Sequence, residues 1–201
     1  MKLDEVKQLF YITHIENLSS ILERGILSHS RAQSLPHKRI DMPEVQERRR
    51  AKRISGGGLL HDYANLYFSS RNPMLFKRKD EHKDICVLRI NLEVLKIPAV
   101  VVATGNAASD YTSFHPPESG IEKLDRKLVY AKKWTDDDPI IQARKSVAKC
   151  AEVLVPDLYQ VQKINVHFSA SKRRNFTIVS GFVLLNTNPL TIVEFRQLSR
   201  S

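Results

Sequence analysis

LFYITHIENLSSILERGI, residues 9–26, changes periodicity halfway along. Leu9 to Ile15 is aromatic and β-branched and reads as a strand. Asn17 follows as an N-cap. Leu18, Ile21 and Leu22 then recur at helical spacing, and Gly25 sits where a C′ glycine belongs. A strand thus runs straight into a short helix, with Thr13 and His14 at the strand's end. Further strands are predicted at 66–68, 85–90 (ICVLRI), 99–103 (AVVVA), 153–155 before Pro156, 164–168 (INVHF) and 176–185. A segment at 191–195 could pair at an edge. Pro43 suits the first turn of a helix over 44–53 (EVQERRRAKR), and Asp136-Asp137-Asp138-Pro139 opens another over 139–149. Residues 28–43 read as a loop, 105–120 as a long irregular stretch, and 124–134 as either helix or extended chain. No regular βαβ units occur, so the class is α+β rather than a doubly wound parallel sheet.

The chain has 201 residues, which fits one domain over 1–201. Hydrophobic residues make up 42%, enough for a buried core. No uncharged apolar run is long enough to span a membrane, and the N-terminus lacks the apolar region of a signal peptide. Cys86 and Cys150 lie outside any CxxC spacing, which fits a reducing, cytoplasmic setting. The net charge of +10 favours a polyanionic partner, most often nucleic acid; the bland alternative is a merely basic protein.

Glu152 is the oddest residue, an acid opening the apolar strand AEVLVP. Two readings stay open: a strand-end surface carboxylate, or an acid in a pocket. A strand-end acid contributes little to a core, so its replacement by alanine is expected to leave folding intact. His14 is open in the same way, to a satisfied hydrogen-bonding role or a catalytic one. No HxxxH, HExxH or Cys/His cluster accompanies it, so no metal site is expected. Met42, Gln46, Arg49 and Arg53 share one helical stripe. That is either a solvated basic face or an anion clamp for a diphosphate or nucleic-acid backbone. Ser55 to Gly58 lacks the Lys-Ser/Thr that a phosphate-cradling loop needs. Arg71, Lys77-Arg78-Lys79 and Lys172-Arg173-Arg174 interleave cations with aromatic and polar residues. That mix suits a groove for single-stranded nucleic acid.

Four segments together resemble the DarT family of DNA ADP-ribosyltransferase toxins. They are YITHIENLSSILERGI (11–26), MPEVQERR (42–49), GGGLLHDYANLYFSSRNPML (56–75) and AEVLVPD (151–157). The resemblance implies an ADP-ribosyltransferase-like split β-sheet core with short flanking helices. It implies transfer of ADP-ribose from NAD, as co-substrate, to a base in single-stranded DNA, with no metal. Thr13, His14 and Asn17 would hold the nicotinamide ribose. Arg49, with Arg48 as the neighbouring candidate, would hold the diphosphate. Tyr67 would stack on the nicotinamide, Glu152 would be the catalytic carboxylate, and Arg49 would also serve catalysis. Tyr111, Phe114 and His115 of the irregular stretch, with Lys172, Arg173 and Arg174, would meet the DNA. Segment 104–150 departs from the thymine-modifying pattern, so guanine is favoured over thymine. A toxin of this kind implies an antitoxin that removes ADP-ribose from DNA. The competing functions are a noncatalytic nucleic-acid-binding protein on the same shell, and a transferase acting on RNA or protein.

Overall fold

A computed structural model describes residues 1–156 and 167–169. Strand β1 spans Leu9–His14 and, after one 3-10 turn, runs into helix α1, Leu18–Arg24. Gly25 ends α1 with φ +83°, the left-handed value that suits glycine. Asn17 departs from expectation: it takes helical dihedrals and its side chain makes no cap bond. Within the expected loop, Ser28 caps a single helical turn, α2 (His29–Ala32). One turn is too short to show a hydrophobic period, so sequence pattern misses it.

Helix α3, Pro43–Arg50, begins at the predicted proline but stops before Arg53. Arg53 instead bridges Leu59, and the intervening turn closes with Gly57 N–H donating to Ile54 O. Then come β2 (Tyr63–Tyr67), α4 (Pro73–Lys77, with Asn72 as a side-chain cap) and β3 (Ile85–Ile90). Strand β4 is Val101–Ala103. The irregular stretch holds a two-residue strand, β5 (Phe114–His115), and the start of α5 (Pro117–Glu122). A one-turn helix α6, Arg126–Val129, lies within 124–134. Helix α7, Pro139–Lys149, is capped by Asp138, and its basic end leads into β6, Glu152–Pro156. Of the expected strand at 164–168, the backbone at His167–Ser169 forms β7. The expected strands at 176–185 and 191–195 lie outside the described residues.

The described strands form one sheet in the order β5-β4-β6-β2-β1-β3-β7, with every neighbouring pair antiparallel. Strands β1 and β3 pair along their whole length, and so do β2 and β6. Strands β1 and β2 meet only where Phe10 faces Tyr67. The sheet therefore divides at that junction. Side chains alternate across each strand, so each strand faces two environments. Val153 and Val155 of β6 join Leu9, Leu66, Phe68, Leu88, Ile90 and Val102 in the main core, against which α1 packs. Glu152 and Leu154 face the other way, as do Tyr63 and Tyr67. No helix among the described residues is long and apolar enough to cross a membrane. Cys86 and Cys150 are both buried and free.

Two positions test this packing. A Cβ on Gly120 would lie 2.6 Å from Val102 Cβ, where α5 meets β4. Gly120→Ala should destabilise the fold by about 1–3 kcal/mol in denaturant unfolding. Lys149 is 2% exposed, and its Nζ donates to Val129 O at 2.7 Å and Ser69 Oγ at 3.1 Å. Burial, with Arg71 nearby, lowers its pKa from 10.5 to about 8. Between about pH 8 and 10.5 the unfolded chain holds the Lys149 proton more fully than the folded one, so this residue makes stability rise with pH there. Unfolding of wild type and Lys149→Met across that range should show their stability difference moving in favour of wild type as pH rises.

Candidate active site

Glu152 opens β6 at 2% exposure, directly opposite Tyr67 of β2 and Ala103 of β4. An acid this deep needs partners. Arg49 Nη1 donates to Glu152 Oε2 at 3.1 Å and lies 3.4 Å from Oε1. Ala107 N–H donates to Oε1 at 3.2 Å. Arg49 is itself buried, the sole buried side chain of α3, whereas Arg48 is exposed. The helix thus points Arg49 inward, while Arg48 stands exposed at the cleft's margin.

The pair stands in a cleft of about 300 Å³ that opens where β1 and β2 diverge. Tyr11, Thr13 and Asn17 line one side; Tyr63, Asn65, Tyr67 and Glu152 line the other; Arg49 and residues 37–42 roof it. Asn17, which fails as a cap, serves here as a staple. Its Nδ2 donates to Thr13 Oγ1 at 3.1 Å and Lys38 O at 2.8 Å, and its Oδ1 accepts from Lys38 N–H at 2.8 Å. From the other side Arg78 donates to Ile40 O and Asp41 O. Residues 37–42 are therefore strapped over the cleft at both ends.

Thr13, Asn17, Arg49, Tyr67 and Glu152 come together as expected. His14 does not join them as a cleft-lining side chain. It ends β1, and its Nδ1 accepts from Glu16 N–H at 3.2 Å, which caps the following turn. Tyr67 is buried, and burial first, then the charge of Glu152, holds its hydroxyl pKa well above the usual phenol value. Tyr67 is therefore a neutral ring at working pH.

Beyond the strand, Tyr111 is 94% exposed at the tip of the 104–115 loop. Phe114 differs from expectation: it is half-buried and packs against a cluster of Ile54, Leu60, Tyr63, Ala103, Ala107 and Leu154. It supports the loop rather than presenting a free face. The His115 ring shares a hydrogen bond with Ser113 Oγ. Lys172, Arg173 and Arg174 lie outside the described residues.

Sequence reasoning missed several contributors. Lys52, just past α3, donates to Ser109 O and reaches Asp110 at 3.4 Å, pinning the loop. Asn106 lines the cleft, and the neighbouring amide of Ala107 holds Glu152. His29 and His61 stack with ring centroids 4.2 Å apart, and His61 shares a hydrogen bond with Gln46 Oε1. Burial lowers both their pKa values, with the mutual repulsion adding for His29 and Arg49 for His61. Only Gly105-Asn106, a turn signal after a strand, marked any of these in the sequence. Among the described residues no group of three His, Cys, Asp or Glu side chains is placed to hold a metal ion.

The buried pair overturns the expectation that Glu152→Ala leaves folding intact. Removing the carboxylate strands a buried guanidinium. The single variants Glu152→Ala and Arg49→Ala should each destabilise by about 3–5 kcal/mol. The double variant should cost clearly less than their sum in a double-mutant cycle measured by denaturant unfolding.

The chain is similar to known proteins in sequence and in fold. A family model described as "ssDNA thymidine ADP-ribosyltransferase, DarT" matches residues 10–181. A DNA ADP-ribosyl transferase–DNA ADP-ribosyl glycohydrolase fusion protein of Thermosipho africanus is 33% identical over 158 residues, covering 75% of this chain and 39% of that protein. A DNA ADP-ribosyl transferase of Thermus sp. is 43% identical over 76 residues, covering 36% of this chain and 35% of that protein. The matches thus span well under half the length of these two relatives. The solved structure of Thermus sp. 2.9 DarT in complex with ADP-ribosylated ssDNA superposes with a TM-score of 0.72 at 25% identity, covering 86% of this chain and 85% of that one. The family match over most of its length shows that the chain belongs to the DarT family of single-stranded DNA ADP-ribosyltransferases.

Proposed function

We propose that this chain transfers ADP-ribose from NAD to a base in single-stranded DNA and releases nicotinamide. The observation that carries the reading is the buried Arg49–Glu152 pair lining the cleft, beside the neutral ring of Tyr67. In the reaction the bond from ribose C1″ to nicotinamide breaks, and its electron pair leaves with nicotinamide. The charge left on the sugar resembles the oxocarbenium ion of glycoside cleavage. Glu152 is placed to stabilise that charge from a site already stripped of water. A base nitrogen then forms the new bond to C1″, and its proton passes to the Glu152 carboxylate. Arg49 and the Ala107 amide hold the carboxylate in one orientation throughout. Tyr67 offers an aromatic face to nicotinamide. Thr13 and Asn17 border the ribose side, and the remaining donors of Arg49, with the cations of residues 37–42, suit the diphosphate.

The 94% exposure of the Tyr111 ring, on the same loop as His115, supports a role for this loop in meeting the acceptor strand. The description of the matching family by thymidine supports thymine as the acceptor base, against the guanine favoured on the divergence of 104–150. The fusion of transferase and glycohydrolase in the Thermosipho protein supports an antitoxin partner that removes ADP-ribose from DNA.

The test is incubation with NAD and single-stranded oligonucleotides that each contain one reactive base type, read by mass spectrometry. The expected product is an ADP-ribose adduct on the guanine-free, thymine-containing strand, lost in Glu152→Gln. An adduct on the guanine strand alone would reverse the base and keep the enzyme. Adducts only on RNA or protein, or none with any acceptor, would overturn the reading.

A further inference from the structure

A second cavity lies on the far side of α4 from the cleft. Met74 and Lys77 of α4 line the cleft, while Leu75 and Phe76 face the second cavity, about 500 Å³ in volume. Its lining is mostly apolar, yet five cations stand round it: Arg71, Arg78, Lys79, Lys132 and Lys133. No Asp or Glu contributes to the lining. Phe76 is 57% exposed, unusual for a ring that packs edge-on against Trp134 with centroids 5.8 Å apart. Lys79 Nζ sits 5.5 Å from the centre of the Phe76 ring. Neighbouring Arg78 has Glu81 and the backbone of the strap as partners, but Arg71, Lys132 and Lys133 have no ion-pair partner among the described residues.

Resting on the reading above, we propose that this groove is a second subsite for single-stranded DNA, which grips the strand a few nucleotides away from the modified base. Exposed aromatic rings offer a stacking face to any base, and unpartnered cations suit the phosphates on either side. The exposed Phe76 ring with cations on either side matches the alternation of base and phosphate along a single strand. The chain's own residues 170–201 are a poor cover on charge, since they carry five Lys and Arg against one Glu. The spacing also fits. A helix is about 10 Å across with its side chains, or about three stacked nucleotides, so a strand leaving the cleft reaches the groove by crossing α4.

The test is fluorescence anisotropy of the full chain with labelled single-stranded DNA of 4 and 12 nucleotides, without NAD. The 4-mer spans the cleft alone, and the 12-mer reaches both sites. Phe76→Ala, at an exposed position, should weaken 12-mer binding about 5- to 150-fold and collapse the preference for the longer strand. The Lys132→Glu/Lys133→Glu variant should weaken the 12-mer too and lower the salt slope of its affinity by about 1.4. If both variants bind the 12-mer as wild type does, the groove is no DNA subsite, whether empty or filled by residues 170–201. Since NAD is absent, the two readings fail separately. A chain that grips the 12-mer through Phe76 and modifies no base keeps the groove and loses the transferase.

Discussion

Arg49 and Glu152 are 103 positions apart in sequence and meet in the interior at 3.1 Å. Burying two charges is expensive, and their attraction offsets that cost only where geometry is good and the remaining polar atoms are bonded. Both conditions constrain the architecture. Glu152 is fixed by its register between β2 and β4, so it cannot move without breaking two strand pairings. Helix α3 must therefore come to it. The third bond, from the Ala107 amide, requires the loop after β4 to fold back over the same carboxylate. One ion pair thus fixes the distance between helix, sheet and loop, and the cleft is the space those three leave where β1 and β2 part.

The other contacts around the cleft reinforce the same frame. Lys52 ties the loop to the end of α3 two residues beyond the Ala107 bond. Asn17 and Arg78 hold the strap over 37–42 from opposite sides. These are hydrogen bonds to backbone atoms, which fix a segment's path without depending on its side chains. The strap can then present Lys38, Arg39 and Asp41 to the cleft while its own position is set elsewhere.

What the sequence revealed divides along the range of the interaction. Strands β1 and β3 and helix α7 were legible because their periods and caps are local: Asp138 does cap α7 and Gly25 does end α1. The helix that carries Arg49 was legible for the same reason, from Pro43 at its first turn and from the stripe that Arg49 shares with Met42, Gln46 and Arg53. What Arg49 touches was not legible, because β6 lies a hundred residues on. Asn17 shows the same limit inside one element. Its type suits a cap, but Thr13 and Lys38 compete for its amide, and the tertiary partners win. Tyr111 and Phe114 are both aromatic residues of one polar loop, and nothing local says that one is exposed and the other packed against Leu154. Burial, in each case, is decided by parts of the chain that arrive from elsewhere.

Residues 149–152 concentrate this tension. Lys149, Cys150, Ala151 and Glu152 are all nearly fully buried, and two of the four carry opposite charge. They do not neutralise one another. Lys149 turns to the carbonyl of Val129 at the end of α6 and to Ser69 past β2, while Glu152 turns to Arg49. The Lys149 contacts serve the fold, since they satisfy a buried carbonyl and join α7 to two other elements. The Glu152 contacts do not need a carboxylate for folding, because an apolar residue would sit in an apolar strand more cheaply. A local rule broken where a well-packed apolar pair would hold the fold as well is where chemistry is expected. The acid that looked anomalous in AEVLVP is therefore best explained by what its charge does in the cleft, and the Arg49 partner is the cost of keeping that charge inside.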